Sequence, residues 1–283
     1  MLPGVYSISL PDMSPSAAVD AVRRAGYAGI EWRVGSPPPP SAPPDFFSAN
    51  HCTLAPEPDV MESVASQCAE AGLTVIGLCP YVEFGDTVGV EHAMRLARAA
   101  GAPMVRVRAP WRDGTSFTSL FDRARAHFAD LADLAGRTGV RAVLELHQRS
   151  LCPSASLGAR LVEGLDPERV GVNYDAGNLL VEGYEDHGIA LEILGDHLAH
   201  VHVKNAQYVR PADGGAWTHR WSPLDDGLLD VPALLDALTA VHYGGWVSVE
   251  DFSTDRSPRE TLEHNARYLR SQPAFATPAG GAR

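Results

Sequence analysis

Four side chains of the kinds that hold metal ions fall at the ends of four short β-branched runs. They are Glu145 in RAVLELH (141–147), Asp175 closing VGVNYD (170–175), His202 in AHVHVKN (199–205) and Glu250 in GWVSVED (245–251). Three carboxylates and one imidazole form an oxygen-rich set that suits one divalent ion, Mn2+ first, with Mg2+, Co2+ or Zn2+ as alternatives. Taken singly, each has an ordinary explanation: a rim salt bridge for a glutamate, a helix cap for Asp175, a satisfied core histidine for His202. Taken together on one rim and unpaired, they would repel one another, and a cation is the natural way to hold them there. Such a set also leaves coordination positions open for the carbonyl and hydroxyl oxygens of a substrate.

Other residues join the same rim by their spacing. His147 lies two residues after Glu145 and Lys204 two after His202, so each shares a strand face with a member of the set. Lys204 could steady a substrate oxygen or an enolate. Asn178 follows Asp175 by three and can hydrogen-bond a hydroxyl without titrating near neutrality. Trp111 and Trp217, with Trp32 and Tyr81, are candidates for the flat apolar faces on which sugar rings rest, although packing is the commoner fate of such residues. Arg106 and Arg108 point over the rim or serve as interior charges that partner Glu31 or Glu145.

The elements that must position these groups alternate. Eight strand-like runs, at 4–10, 29–34, 73–80, 104–110, 141–147, 170–175, 199–205 and 245–251, are separated by amphipathic segments at 14–26, 60–72, 91–101, 119–139, 156–165, 185–198, 230–241 and 257–272. That rhythm predicts a parallel sheet with crossover helices. Gly26, Gly72, Gly101 and Gly139 each stand where a left-handed cap would stop a helix before the next strand. Eight repeats in 283 residues predict a single (β/α)8 TIM barrel over residues 1–276, followed by a disordered tail at 277–283. Two connections are long, 35–56 and 206–227, and both follow strands. In a barrel they would rise at the C-terminal face as walls or lids, the first with the alternative of a mere Pro-rich spacer.

Composition narrows the partners. The 45% hydrophobic and 20% charged residues are ordinary globular values. A formal net charge of -12 disfavours a dense polyanion as partner, so no nucleic acid is expected. No signal peptide and no apolar run of membrane-spanning length are evident, which predicts a soluble, cytoplasmic protein with no membrane contact. The cysteines at 52, 68, 79 and 152 show no C-x-x-C pair and read as reduced thiols.

The motifs LELH (144–147), NYDAGN (173–178), HVHVKN (200–205) and VSVED (247–251), in that order, resemble the sugar phosphate isomerase/epimerase superfamily. These are the xylose isomerase-like barrels that include ketose 3-epimerases and hydroxypyruvate isomerases, and the resemblance covers nearly the whole chain. It implies that Glu145, Asp175, His202 and Glu250 ligate the metal, with Glu145 and Glu250 also acting as acid and base on opposite faces of a carbohydrate-like substrate. It further implies a homodimer or homotetramer. The expected reaction is isomerisation or epimerisation of a keto-sugar or related hydroxy-ketone through an enediolate that the metal stabilises. Loss of a β-hydroxyl from the same enediolate gives the alternative, a lyase that dehydrates a keto-inositol, keto-glycoside or dehydroshikimate-like substrate. Asn178 departs from the epimerase pattern, which places a histidine there, and keeps the lyase open. An endonuclease of the same fold would need further metal-binding histidines and a basic groove, and a purely structural barrel would not need the tetrad.

Overall fold

The computed structural model describes residues 1–275, so the tail expected at 277–283 lies outside them. Eight parallel strands close into a barrel: β1 (Leu2–Tyr6), β2 (Gly29–Val34), β3 (Thr74–Pro80), β4 (Met104–Arg108), β5 (Arg141–Glu145), β6 (Val170–Asp175), β7 (Leu198–Val203) and, after an inserted hairpin, β10 (Trp246–Val249). The hairpin pairs β8 (Asn205–Val209) with β9 (Thr218–Ser222) antiparallel. Helices α1 (Pro15–Ala25), α2 (Pro58–Glu70), α3 (Thr87–Ala99), α4 (Phe117–Thr138), α5 (Ala155–Val162), α7 (His187–Leu194), α8 (Val231–Ala240) and α9 (Pro258–Ser271) surround the barrel, and α6 (Ala176–Val181) is a short turn on its rim. No described helix is long and apolar enough to cross a membrane.

Local chemistry sets these boundaries. Side chains of Ser14, Asp86, Ser116, Ser154, Asp186, Asp230 and Ser257 each accept a backbone N–H at a helix start. Gly26, Gly72, Gly101 and Gly139 all have positive φ, as expected of left-handed stops. Inside the barrel, Ile76, Met104 and Val143 close the end away from the site, against Ala199 and Trp246. A Cβ at Gly4 would sit 2.5 Å from Ile76 Cδ1, so this plug needs glycine there.

Three expectations need correction. The first strand, read at 4–10, is Leu2–Tyr6, because Leu2 pairs with Trp246 and the chain turns into a 3-10 segment at Ser7–Ser9, where Ser7 Oγ accepts from Arg33 N. The helix read at 185–198 ends at Leu194, since Gly195 takes φ 50°, ψ -131°. The connection at 206–227 is not a plain loop but holds the β8–β9 hairpin. The connection at 35–56 lacks regular structure yet folds back on the rim, with the Arg33 guanidinium donating to the carbonyls of Phe46 and Phe47. All four cysteines are buried and free.

Between barrel and helices the core is continuous, and Phe128 on α4 is one of its largest fully buried side chains. Truncating it, Phe128→Ala, is expected to cost roughly 3–5 kcal/mol. For a chain of this size that lowers the thermal midpoint by roughly 10 °C, measurable by calorimetry, while leaving the rim chemistry intact. A shift below about 2 °C would mean that the helix repacks.

Candidate active site

The sequence-predicted tetrad converges. One ligand-type atom from each of Glu145, Asp175, His202 and Glu250 lies within 4.8 Å of the others, and all four residues are buried. Strand pairing shows how. Asp175 is level with His202, but Glu145 is level with Asn173, and His202 with Ser248, so the set climbs in steps of two residues around the barrel. This is the stagger that closing a sheet demands, and alternation keeps every member facing inward.

The imidazole is oriented from behind. Glu31 Oε2 lies 2.7 Å from His202 Nε2. A carboxylate only accepts, so Nε2 donates, and Nδ1 faces the three carboxylates at 3.6 Å (Glu145), 3.8 Å (Asp175) and 3.9 Å (Glu250). Nδ1 is buried without a hydrogen-bond partner, although three acceptors surround it. Cys79 Sγ donates to the other Glu31 oxygen at 2.8 Å, and His200 Nε2 stands 3.3 Å from Oε2. An imidazole fixed by a carboxylate, with its second nitrogen turned to a carboxylate cluster, is the arrangement of a metal-ligating histidine. The donor set therefore fits a divalent ion.

Charge balance agrees. Lys204 Nζ bridges Asp175 Oδ2 and Glu250 Oε2, and Arg106 Nη1 lies 3.3 and 3.2 Å from the two oxygens of Glu145. Burial disfavours charge on His202, yet Glu31 and the tetrad carboxylates drive its pKa well above the ordinary value, a sign of how strongly the site attracts positive charge. Burial likewise works against ionised Glu145, but the Arg106 guanidinium more than offsets it and holds that carboxyl well below the usual range. Glu250 is raised, burial outweighing Lys204.

Above the cluster opens a cleft of about 310 Å³. His147, Asn178, Lys204 and Trp111 line it, as do Arg106, Arg108 and Tyr81. His147 packs edge-on against Trp111 at 5.0 Å. Asn178 spends its amide on Asp175 Oδ2 (2.7 Å) and the Leu146 carbonyl (3.2 Å), while Asp175 also caps α6 by accepting Asn178 N–H. Two expected walls are displaced. Trp217 is 65% exposed on the hairpin and absent from the lining, and Trp221, four residues on, takes that place. Trp32 faces outward into the core, because Glu31 and Arg33 occupy the inward positions of β2.

Sequence reasoning did not single out Phe47, Phe252, Arg149 or the orienting role of Glu31. Phe252 gathers Phe47 (4.8 Å), Phe46 (5.4 Å) and Trp221 (5.7 Å), joining the two long connections over the end of β10. An acidic residue in the middle of a short, largely buried strand was the available signal for Glu31; nothing marked Phe252 or Arg149.

An inosose dehydratase of Lacticaseibacillus casei is 24% identical over 258 residues, spanning 82% of this chain and 80% of that one. An L-ribulose 3-epimerase of Mesorhizobium japonicum is 28% identical over 154 residues, 53% of this chain and 45% of that one. The fold of 3-keto-D-glucoside 4-epimerase from E. coli superposes with a TM-score of 0.72 at 19% identity, covering 96% of this chain and 99% of that one. The model of one family matches residues 19–272, nearly the whole barrel, and the chain belongs to that family, the xylose isomerase-like TIM barrels.

Proposed function

We propose that the protein is a divalent-metal-dependent enzyme that removes the proton α to the carbonyl of a polyhydroxy ketone and expels the β-hydroxyl as water. Glu145, Asp175, His202 and Glu250 would hold the ion. When bound, the ion supplies positive charge beside the two oxygens of an enediolate. The observation that carries the reading is the contact of Lys204 Nζ with Glu250 at the cleft floor. Glu250 takes the α-proton, and the C–H electron pair becomes the enediolate double bond. As the β C–O bond breaks, the departing hydroxide takes a proton from the Lys204 ammonium and leaves as water. The enolone then tautomerises to a 1,2-diketone, and Lys204 recovers its proton from Glu250. Arg106 clamps Glu145 as an anion, which suits a ligand better than a proton carrier. The inosose dehydratase relative, matched over four fifths of both chains, supports the same reaction class.

A second reading, epimerisation, is favoured by the placement of Glu145 and Glu250 in one cluster and by the L-ribulose 3-epimerase relative. Incubation with Mn2+ and a panel of inososes and ketoses in D2O separates the two. Diketone absorbance with release of water supports dehydration, and deuterium uptake at the α-carbon without water loss supports epimerisation. Neither signal from any ketone would sink both.

Glu31→Gln tests how the imidazole is held. The amide keeps the volume of Glu31 but loses its negative charge behind His202. Mn2+ affinity measured by calorimetry is expected to fall about ten- to a hundredfold. Unchanged affinity would remove Glu31 from the account.

A further inference from the structure

Among the described residues, the guanidinium groups of Arg108 and Arg149 line the cleft without an ion-pair partner. Arg108 faces inward on β4, two residues above Arg106 and level with Glu145. Arg106 occupies that carboxylate, and among the described residues Arg108 forms no ion pair. It lies instead over the Tyr81 ring, 4.4 Å from the centroid. Burial and the neighbouring Arg106 charge both lower its pKa, so its positive charge is held there against resistance. Arg149, in the loop after β5, is one of two described non-glycine residues with positive φ, at 64°. Glu182 pins that conformation by accepting its backbone N–H at 2.6 Å, and the exposed side chain lines the cleft. Backbone strain of this kind persists where the surrounding structure enforces it, commonly at ligand sites.

The charges of the cleft floor are otherwise accounted for. Glu31 faces His202, Glu145 faces Arg106, and Asp175 and Glu250 face Lys204, and a divalent ion held by the tetrad would offset the rest of the negative charge. Arg108 and Arg149 remain over, in a chain whose net charge is -12. Guanidinium groups bind carboxylates and phosphates through paired, charge-assisted hydrogen bonds.

We infer that Arg108 and Arg149 form a subsite for an anionic substituent, a carboxylate or a phosphate, carried by the polyhydroxy ketone. The inference rests on the functional reading above for the ketone and on these two side chains for the anion. Calorimetry on the Mn2+-loaded protein with D-fructose, D-fructuronate and D-fructose 6-phosphate compares neutral, carboxylate and phosphate forms of one ketose of unchanged configuration. At least one of the two anions is expected to bind about tenfold or more tightly than D-fructose, and which one identifies the substituent. That preference is expected to fall to within about threefold in Arg108→Met and Arg149→Met and to weaken in about 0.5 M NaCl. Arg149 is exposed, so its variant tests the subsite without touching the core, and Arg108→Lys should recover part of the preference. Equal binding of all three ketones, no binding of any, or a preference untouched by both methionine variants overturns the subsite. The readout needs no turnover. An intact anion preference without α-proton exchange in D2O would sink the enzymatic reading alone, whereas exchange without anion preference would sink the subsite alone.

Discussion

Removal of divalent ions with a chelator is expected to abolish turnover while leaving the barrel folded, and added Mn2+ is expected to restore it. The physical reason is the charge density at the rim. Glu145, Asp175 and Glu250 bring their oxygens within 4.8 Å of His202, and among the described residues Arg106 and Lys204 are the permanent cations that answer them directly. Without the ion, an enediolate would add negative charge to a site already crowded with it. The fold does not depend on the ion, because the main core lies between barrel and helices and the plug of Ile76, Met104 and Val143 closes the opposite end. Circular dichroism should therefore be unchanged. Binding of Mn2+ at about a hundred times its dissociation constant adds about 2.7 kcal/mol of stability, which raises the thermal midpoint by roughly 5–10 °C. Full turnover after exhaustive chelation, with no midpoint shift on adding Mn2+, would remove the ion from the mechanism.

What could be read from the sequence was what depends on short-range pattern. Alternating apolar runs, glycine stops and ligand-type residues at strand ends require only neighbours in sequence, and they placed Glu145, Asp175, His202 and Glu250 on one rim. What escaped depends on closure of the barrel. Glu31 orients His202 from 171 positions away, a pairing that exists only once β2 and β7 face each other across the interior. The stepped register that sets the heights of Glu145 and Glu250 follows from stagger, which no single strand records. The exchange of Trp217 for Trp221 turned on the hairpin: Trp221 pairs with Ala206 beside the barrel, while Trp217 precedes β9 and stands in solvent. Arg106 and Arg108 could be read from sequence either as rim groups or as interior charges partnering Glu31 or Glu145; the structure pairs Arg106 with Glu145 while both line the cleft.

Glu250→Gln is the substitution expected to cost most at full metal occupancy. The amide has nearly the shape of the carboxylate and can still offer an oxygen to the Lys204 ammonium, so folding and the position of Lys204 should persist. It cannot accept a proton from carbon. Loss of a positioned general base typically costs a hundred- to ten-thousandfold, and turnover is expected to fall by about a thousandfold or more. Because Glu250 also belongs to the tetrad, Mn2+ affinity should fall as well, and rates must be compared at saturating Mn2+ with bound metal measured directly. Glu250→Asp separates the two roles. It keeps the acid but withdraws it by one methylene, and misplacement of about 1 Å costs on the order of a hundredfold. The expected order of turnover is therefore wild type, aspartate, glutamine, with α-proton exchange in D2O falling in the same order, since both reactions begin with that proton. If the glutamine variant, fully loaded with Mn2+, turned over within about tenfold of wild type, Glu250 would be a ligand only and Glu145 would have to carry the proton despite its ion pair with Arg106.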